Sequence, residues 1–257
     1  MKKHLYRIVP VLLPGLLFLC AWEWWVSGDQ RLQFLFASPS AILSVAGEEL
    51  TQAAIWNDMF VTLSEALFGL ICGTVLGTLV GLLLWGNGRI DRIAKPYIAL
   101  IGAIPVFAIA PIMIIWFGIG LLSKVVMAGI AVFFVSLAQA YEGAHAMAAH
   151  HLVFARTIGA PLSKAVPKIV IPGAIQWVIA GFRLNVGFSL MGAFIGEFVS
   201  SEAGLGHFIL KASALYDMPR VLLGVFLLSL LALLMNVFAI ILQNIFTYKI
   251  NKVCKTP

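Results

Sequence analysis

The chain has 257 residues, of which 61% are hydrophobic and 11% charged, and carries a net charge of +6. Its mean hydropathy is +1.01. A soluble domain holds about 25% charged residues, so this chain cannot cover its apolar side chains with polar surface, and its solvent is lipid. The basic excess reads as Lys and Arg gathered on one side of a membrane rather than as nucleic-acid binding. Cys20, Cys72 and Cys254 are far apart and show no metal or disulfide spacing.

Six apolar segments follow one another: Ile8–Val26, Phe60–Trp85, Tyr97–Gly118, Lys124–Gln139, Pro172–Val199 and Val221–Phe246. A span needs roughly 20 apolar residues. Lys2, Lys3 and Arg7 precede the first segment. Bulky Trp22, Glu23, Trp24 and Trp25 stand where signal-peptide cleavage needs small residues, so the segment reads as a retained span. Asp29, Glu48, Glu49 and Asp58 dominate the next connection, and Arg89, Arg92 and Lys95 the one after. Lys124 alone marks the third link. Arg156, Lys164 and Lys168 lie in the fourth, and Lys249, Lys252 and Lys255 in the tail. Basic residues in alternate connections require an even number of spans with both ends in the cytoplasm. The expected fold is an all-α polytopic membrane protein with six transmembrane helices and cytoplasmic termini.

In the second span Gly69, Gly73, Gly77 and Gly81 recur every four residues. Such a ladder lets two helix backbones approach closely, the main source of helix packing energy in lipid. Pro105 and Pro111 interrupt the third span. Each removes a helical hydrogen bond, which is tolerated at membrane depth where protein or a cavity covers the freed backbone. In the fifth span Gly181, Asn185, Ser189, Gly192 and Gly196 form a small-residue stripe. Arg183 lies about 16 Å into that helix beyond Pro172. Facing lipid there costs roughly 2.5–3.5 kcal/mol or more, so it is expected to face the bundle, a partner or a wet cavity. Glu65 and Glu197 are its candidate partners. A structural ion pair, a snorkelling side chain and a substrate contact all fit this position.

The segment 141–172 is too polar for a span and too patterned for a linker. A helix is expected from Gly143 to Ile158, ended by Gly159, and Pro161 suits the start of a second one. Ser163–Val170 puts Lys164 and Lys168 on one face, and Pro172 is expected to open the fifth span. His145, His150 and His151 also lie here, at spacings that suit a metal poorly.

Here the residues carry a resemblance. Val153-Phe154-Ala155, Arg156-Thr157-Ile158, Gly159 and, after nine residues, Ile169-Val170-Ile171-Pro172 follow the spacing of the cytoplasmic "EAA" loop. That loop belongs to the permeases of binding-protein-dependent ATP-driven importers. Val153 and Phe154 replace the loop's Glu and first Ala, and Ile171 its Leu. Further pieces resemble the nitrate, sulfonate and taurine branch: Ser38-Pro39-Ser40, Ala110-Pro111 with Trp116-Phe117-Gly118-Ile119-Gly120, Ala155 to Ala160, Gly181-Phe182-Arg183-Leu184, Gly196-Glu197-Phe198, and Gly204-Leu205-Gly206. Pro105-Val106-Phe107-Ala108 looks like members that import pyrimidine precursors of thiamine.

The resemblance implies one permease domain over 1–257, with a type-1 transmembrane domain at about 58–246 and a coupling loop at 141–172. It implies coupling helices between spans four and five that touch an ATPase through Ala155, Arg156, Thr157, Gly159, Ala160 and Pro172. It further implies a second copy of the chain, two cytoplasmic ATPase subunits that bind ATP and Mg, and a periplasmic solute-binding protein. The pathway would run between the copies past Pro105, Pro111, Arg183, Asn185, Ser189 and Glu197. The chain itself has no P-loop and no paired catalytic acids, so no cofactor, metal or enzyme activity of its own is expected. An ion-driven secondary transporter would need a proton-relay carboxylate and an internal repeat; Glu65 is the deeply placed acid, and no repeat is visible. A bacterial inner-membrane importer of a small anion is the leading expectation, with a pyrimidine-type solute as the alternative.

Overall fold

The structure is a computed structural model that describes residues 2–101, 105–157, 159–200 and 202–253. The regular elements among these residues are all helical. They are α1 (Lys2–Ser27), α2 (Gln30–Phe36), α3 (Pro39–Glu49), α4 (Ala53–Gly86), α5 (Gly88–Ile101), α6 (Ala110–Phe117), α7 (Leu121–Met147), α8 (Val153–Thr157), α9 (Leu162–Ala165), α10 (Ile171–Val199), α11 (Leu205–Ala214) and α12 (Met218–Val253).

Among the described residues, four helices are long and apolar enough to cross a membrane: Ala53–Gly86, Leu121–Met147, Ser163–Val199 and Met218–Ile245. The first expected span falls within α1. The third is broken into α5, a tight turn at Val106–Ile109 and α6, with residues 102–104 outside the described set. Pro105 stands before that turn and Pro111 in the first turn of α6, where a missing N–H costs nothing. The prolines therefore mark a real interruption.

The core is built around α7, which packs between α4 and α10. The glycine ladder explains the first contact. A Cβ on Gly69, Gly73, Gly77 or Gly81 would collide in turn with Ala128, the Gly129 carbonyl, the Phe133 carbonyl and the Leu137 carbonyl. One helix thus presents glycines every four residues to carbonyls of the other at the same spacing, and the backbones touch. A Cβ on Gly192 of α10 would lie 2.7 Å from the Cα of the same Ala128. Ala128 is fully buried because small residues of two neighbours close over it. Ile55, Leu70, Val132, Val186 and Leu205, with Leu223, Leu227 and Leu231 of α12, complete the main apolar cluster.

The first helices are tied on by polar clasps. Ser38 caps α3 by accepting from the Ala41 N–H at 3.2 Å, while the Ser40 N–H and hydroxyl both donate to Glu23 of α1, at 2.9 and 2.7 Å. At the far end of α3, Arg220 of α12 pairs with Glu49 at 2.7 Å and Glu48 at 3.7 Å.

Segment 141–172 departs from the expected pair of separate helices. α7 passes through a widened turn at Ala148–Leu152 directly into α8. After Gly159, α9 passes through a second widened turn, Val166–Val170, into α10. Pro172 therefore does not open the fifth span: the helical backbone reaches it from Leu162 without a cap, Val170 being itself in helical conformation. A proline crowds the turn before it, and turns with an extra residue relieve such crowding inside helices. Pro167 and Pro172 are placed to impose that widening.

Candidate functional site

Two glycine turns lie at opposite ends of α10. The first is in the 141–172 segment. Gly159 has φ +73°, a conformation natural to glycine. The Ala160 N–H reaches back to the Ala155 carbonyl at 2.9 Å, the bond that closes a helix through a left-handed residue. Ile158 lies outside the described residues. Ala155 is buried, whereas Val153 and Phe154 are 63% and 64% exposed, so the two residues that replace the motif's Glu and Ala stand as an apolar knob on the surface. Thr157 is exposed and its hydroxyl bonds the Val153 carbonyl at 3.1 Å. Arg156 lies within α8. The base of the segment is firm: Ala144, Val170 and Ala174 are buried against Leu82 and Trp85 at the end of α4.

The second turn, at Gly204, has φ +108° and starts α11. The first amides of a helix have no partner within it; here other helices supply them. The Gly204 N–H donates to Asp58 at 2.8 Å, the Leu205 N–H to the Thr62 hydroxyl at 2.9 Å, and the Gly206 N–H to Glu197 at 2.7 Å. The Thr62 hydroxyl then donates to the other Glu197 oxygen at 2.6 Å. Thr62 and Glu197 are fully buried. A Cβ on Gly206 would lie 2.7 Å from that of Glu197, so the fit needs glycine. Beside this junction Lys124 of α7 lies 3.6 Å from Glu65 of α4, both buried.

Between the turns, α10 shows two faces. Asn185 and Ser189 are fully buried. Asn185 donates to Ser136 at 2.8 Å and accepts from Gln139 at 3.3 Å, and Ser189 donates to the Ala66 carbonyl at 2.8 Å. Arg183 instead lies on the exposed face with Gln176, Ala180 and Gly187, one residue per turn. It makes no ion pair among the described residues; the expected partners Glu65 and Glu197 are both engaged elsewhere. Pro105 and Pro111 are exposed on the broken third span. Of the expected pathway residues, then, Pro105, Pro111 and Arg183 reach an open surface of the chain, while Asn185, Ser189 and Glu197 bind helices together.

Sequence reasoning missed Asp58, Thr62 and Lys124. A signal was present: Asp58, Thr62 and Glu65 are spaced as one polar face of a helix at the entry to the second apolar segment. It also took Glu65 as the deeply placed acid, although Glu197 is as deeply buried. At the opposite end, Asp91 of α5 accepts from Tyr141 at 2.7 Å and bonds His145 at 2.8 Å, both on α7. Burial pushes the Asp91 carboxyl up, but the bonds from Tyr141 and His145 outweigh it and hold the group below its ordinary value.

The site thus lies in a helical membrane bundle whose 141–172 segment joins two long apolar helices. The chain belongs to the binding-protein-dependent transport system inner membrane component family, whose model matches residues 73–252. It is thus a multi-pass protein of the bacterial inner membrane and a permease of an ATP-binding-cassette importer. It is 33% identical over 215 residues to a probable ABC transporter permease protein of Haemophilus influenzae, covering 83% of this chain and 85% of that one. It is 29% identical to the formylaminopyrimidine transport permease ThiX of Halalkalibacterium halodurans, covering 89% and 92%. To the taurine transport permease TauC of Escherichia coli it is 25% identical, covering 86% and 83%. The fold matches a chain of the MetNI methionine ABC transporter in an inward-facing conformation, with a TM-score of 0.62 and 18% identity over 74% of this chain and 96% of that one.

Proposed function

We propose that two copies of this chain, with six spans each and both termini in the cytoplasm, form the translocation unit of a small-solute importer. Two ATPase subunits drive it, and a periplasmic binding protein delivers the solute. The observation that carries this reading is α8 with its Gly159 closure, exposing Val153 and Phe154 beyond a base where Ala144, Val170 and Ala174 pack against Leu82 and Trp85 at the end of α4. Closure of the ATPases around ATP pushes Val153 to Ala160, and α7 and α10, continuous with that segment, carry the movement through the bilayer. Rigid-body rocking of this kind is a standard switching device. The solute passes along the open face of α10 at Arg183, beside the broken span at Pro105 and Pro111. The reading is tested by purifying the tagged chain in mild detergent. Recovery of an ATPase whose activity falls when Gly159 is replaced supports it. A chain that comes down alone in several detergents favours an ion-driven carrier instead.

For the solute, the exposed Arg183 at membrane depth favours a small anion of the sulfonate, nitrate or taurine kind. A pyrimidine-type thiamine precursor is the second reading, favoured by the 29% identity to the formylaminopyrimidine permease against 25% to the taurine permease. Uptake of labelled taurine and of a formylaminopyrimidine by cells carrying the complete operon distinguishes the two.

A further inference from the structure

Helix α5 divides into three faces. Asp91, Ala94 and Ile98, its less exposed positions, turn toward the bundle, Asp91 being held by Tyr141 and His145. Ile90, Ile93, Tyr97 and Leu100 form an apolar stripe at helical spacing, and each is between 44% and 65% exposed. Arg89, Arg92 and Lys95 run along the flank of that stripe, all exposed, and none makes an ion pair among the described residues. Where α4 turns into α5, an open cleft of about 750 Å³ is lined by Asn87, Gly88, Arg89, Arg92 and Ile93.

We propose that this corner is a binding site for an anionic phospholipid of the leaflet on the ATPase side. Arg89 and Arg92 grip the phosphate, and the acyl chains lie along Ile93, Tyr97 and Leu100. An apolar stripe with a basic border is the pattern of a helix lying in the headgroup layer, and the planar guanidinium fork matches phosphate oxygens with two bonds each. Charge selects the lipid class: the one acid of the helix, Asp91, faces inward and leaves the outer flank purely basic. The stripe also runs on into the broken third span, so its neighbour is lipid rather than a soluble partner. The site has a route to the transport machinery. Asp91 sits between the two arginines in sequence and is bonded to Tyr141 and His145, at the end of α7 from which the widened turn Ala148–Leu152 leads to α8. Headgroup occupancy therefore bears on the position of the coupling helix. The proposal rests on the cytoplasmic placement of this corner in the reading above.

The test is native mass spectrometry of the full chain, delipidated and offered equal amounts of phosphatidylglycerol and phosphatidylcholine. Preferential retention of phosphatidylglycerol is expected. Arg89→Gln with Arg92→Gln should reduce that preference about 25-fold, near five-fold for each charge at an anionic surface. Arg89→Lys with Arg92→Lys, which keeps charge but not the fork, should fall between. Lys164→Gln with Lys168→Gln should leave it unchanged. Equal retention of both lipids, an equal loss in the lysine variant, or displacement by millimolar inorganic phosphate would overturn the site. Placement is checked apart from binding, with Ile93→Cys in a chain whose Cys20, Cys72 and Cys254 are replaced by Ser. Labelling by an impermeant maleimide only after spheroplasts are opened is expected; labelling of intact spheroplasts overturns the topology rather than the lipid chemistry.

Discussion

The turns at Gly159 and Gly204 share a backbone device and differ in what surrounds them. Both place a glycine at positive φ beside the end of a helix. At Gly204 the following amides bond to Asp58, Thr62 and Glu197, which come from α4 and α10. At Gly159 the closing bond stays within its own helix, from Ala160 to Ala155, and a Cβ there would meet nothing within 4 Å. One turn is welded into the bundle. The other keeps its hydrogen bonding local and leaves Val153 and Phe154 exposed. A segment that must hold a bundle together borrows partners from distant helices, because buried amides left unpaired cost about 1–3 kcal/mol each. The Gly159 segment is closed by a local bond alone, which suits the coupling role proposed for it.

The comparison breaks most readily at Glu197. Glu197→Ala strips the acceptor from the Gly206 amide and the Thr62 hydroxyl in a buried site, and should lower stability by about 1–3 kcal/mol for each donor left unpaired. The check is the loss of thermal stability in detergent, followed by fluorescence-detected size exclusion. Next comes Gly73→Val, which forces α4 off the carbonyls of α7. It should cost about 1–3 kcal/mol, whereas Gly187→Val, on the open face of α10, should leave the melting temperature near that of the parent chain. If both shift it equally, the ladder is not the contact that holds α4.

A paired substitution sharpens the contrast itself. Gly159→Ala adds only the strain of a left-handed alanine, about 1–2 kcal/mol, and should abolish ATPase stimulation with a small change in melting temperature. Gly204→Ala puts alanine at φ +108°, ψ 161°, a region essentially reserved for glycine, and drives a methyl group into Glu197, so it should melt the protein earlier by clearly more. Equal melting shifts for the two variants would mean that the Gly204 turn is not anchored as described. The smallest effect is expected at Asp91→Asn, about 0.5–1.5 kcal/mol, visible as faster amide exchange across α5 without change elsewhere.

Much of this was legible in the chain. The apolar segments, the four-residue glycine period and the Gly159 terminator each rest on local rules: hydropathy, helical repeat and backbone freedom at glycine. The helix boundaries in 141–172 were less legible. A proline in a helix ends it in isolation, yet here two widened turns let the backbone continue to Pro172, and only the packing of Val170 and Ala174 on α4 makes that worthwhile. Arg183 illustrates the same limit: its depth followed from counting residues, but its lack of an acidic partner among the described residues followed from where Glu65 and Glu197 are spent.

By itself the sequence determined that this protein is a helical bundle in lipid, that α4 has one face made for close approach, and that Gly159 ends a helix in the segment between two spans. Those properties depend on neighbours a few residues apart. Only the tertiary structure decided that the ladder meets α7, that Asn185, Ser189 and Glu197 point into helix junctions while Arg183 points out, and that Lys124 sits beside Glu65. A helical period defines a face but not its partner. The bonds from α4 to α10 and α11 join residues more than a hundred positions apart, where no local rule reaches.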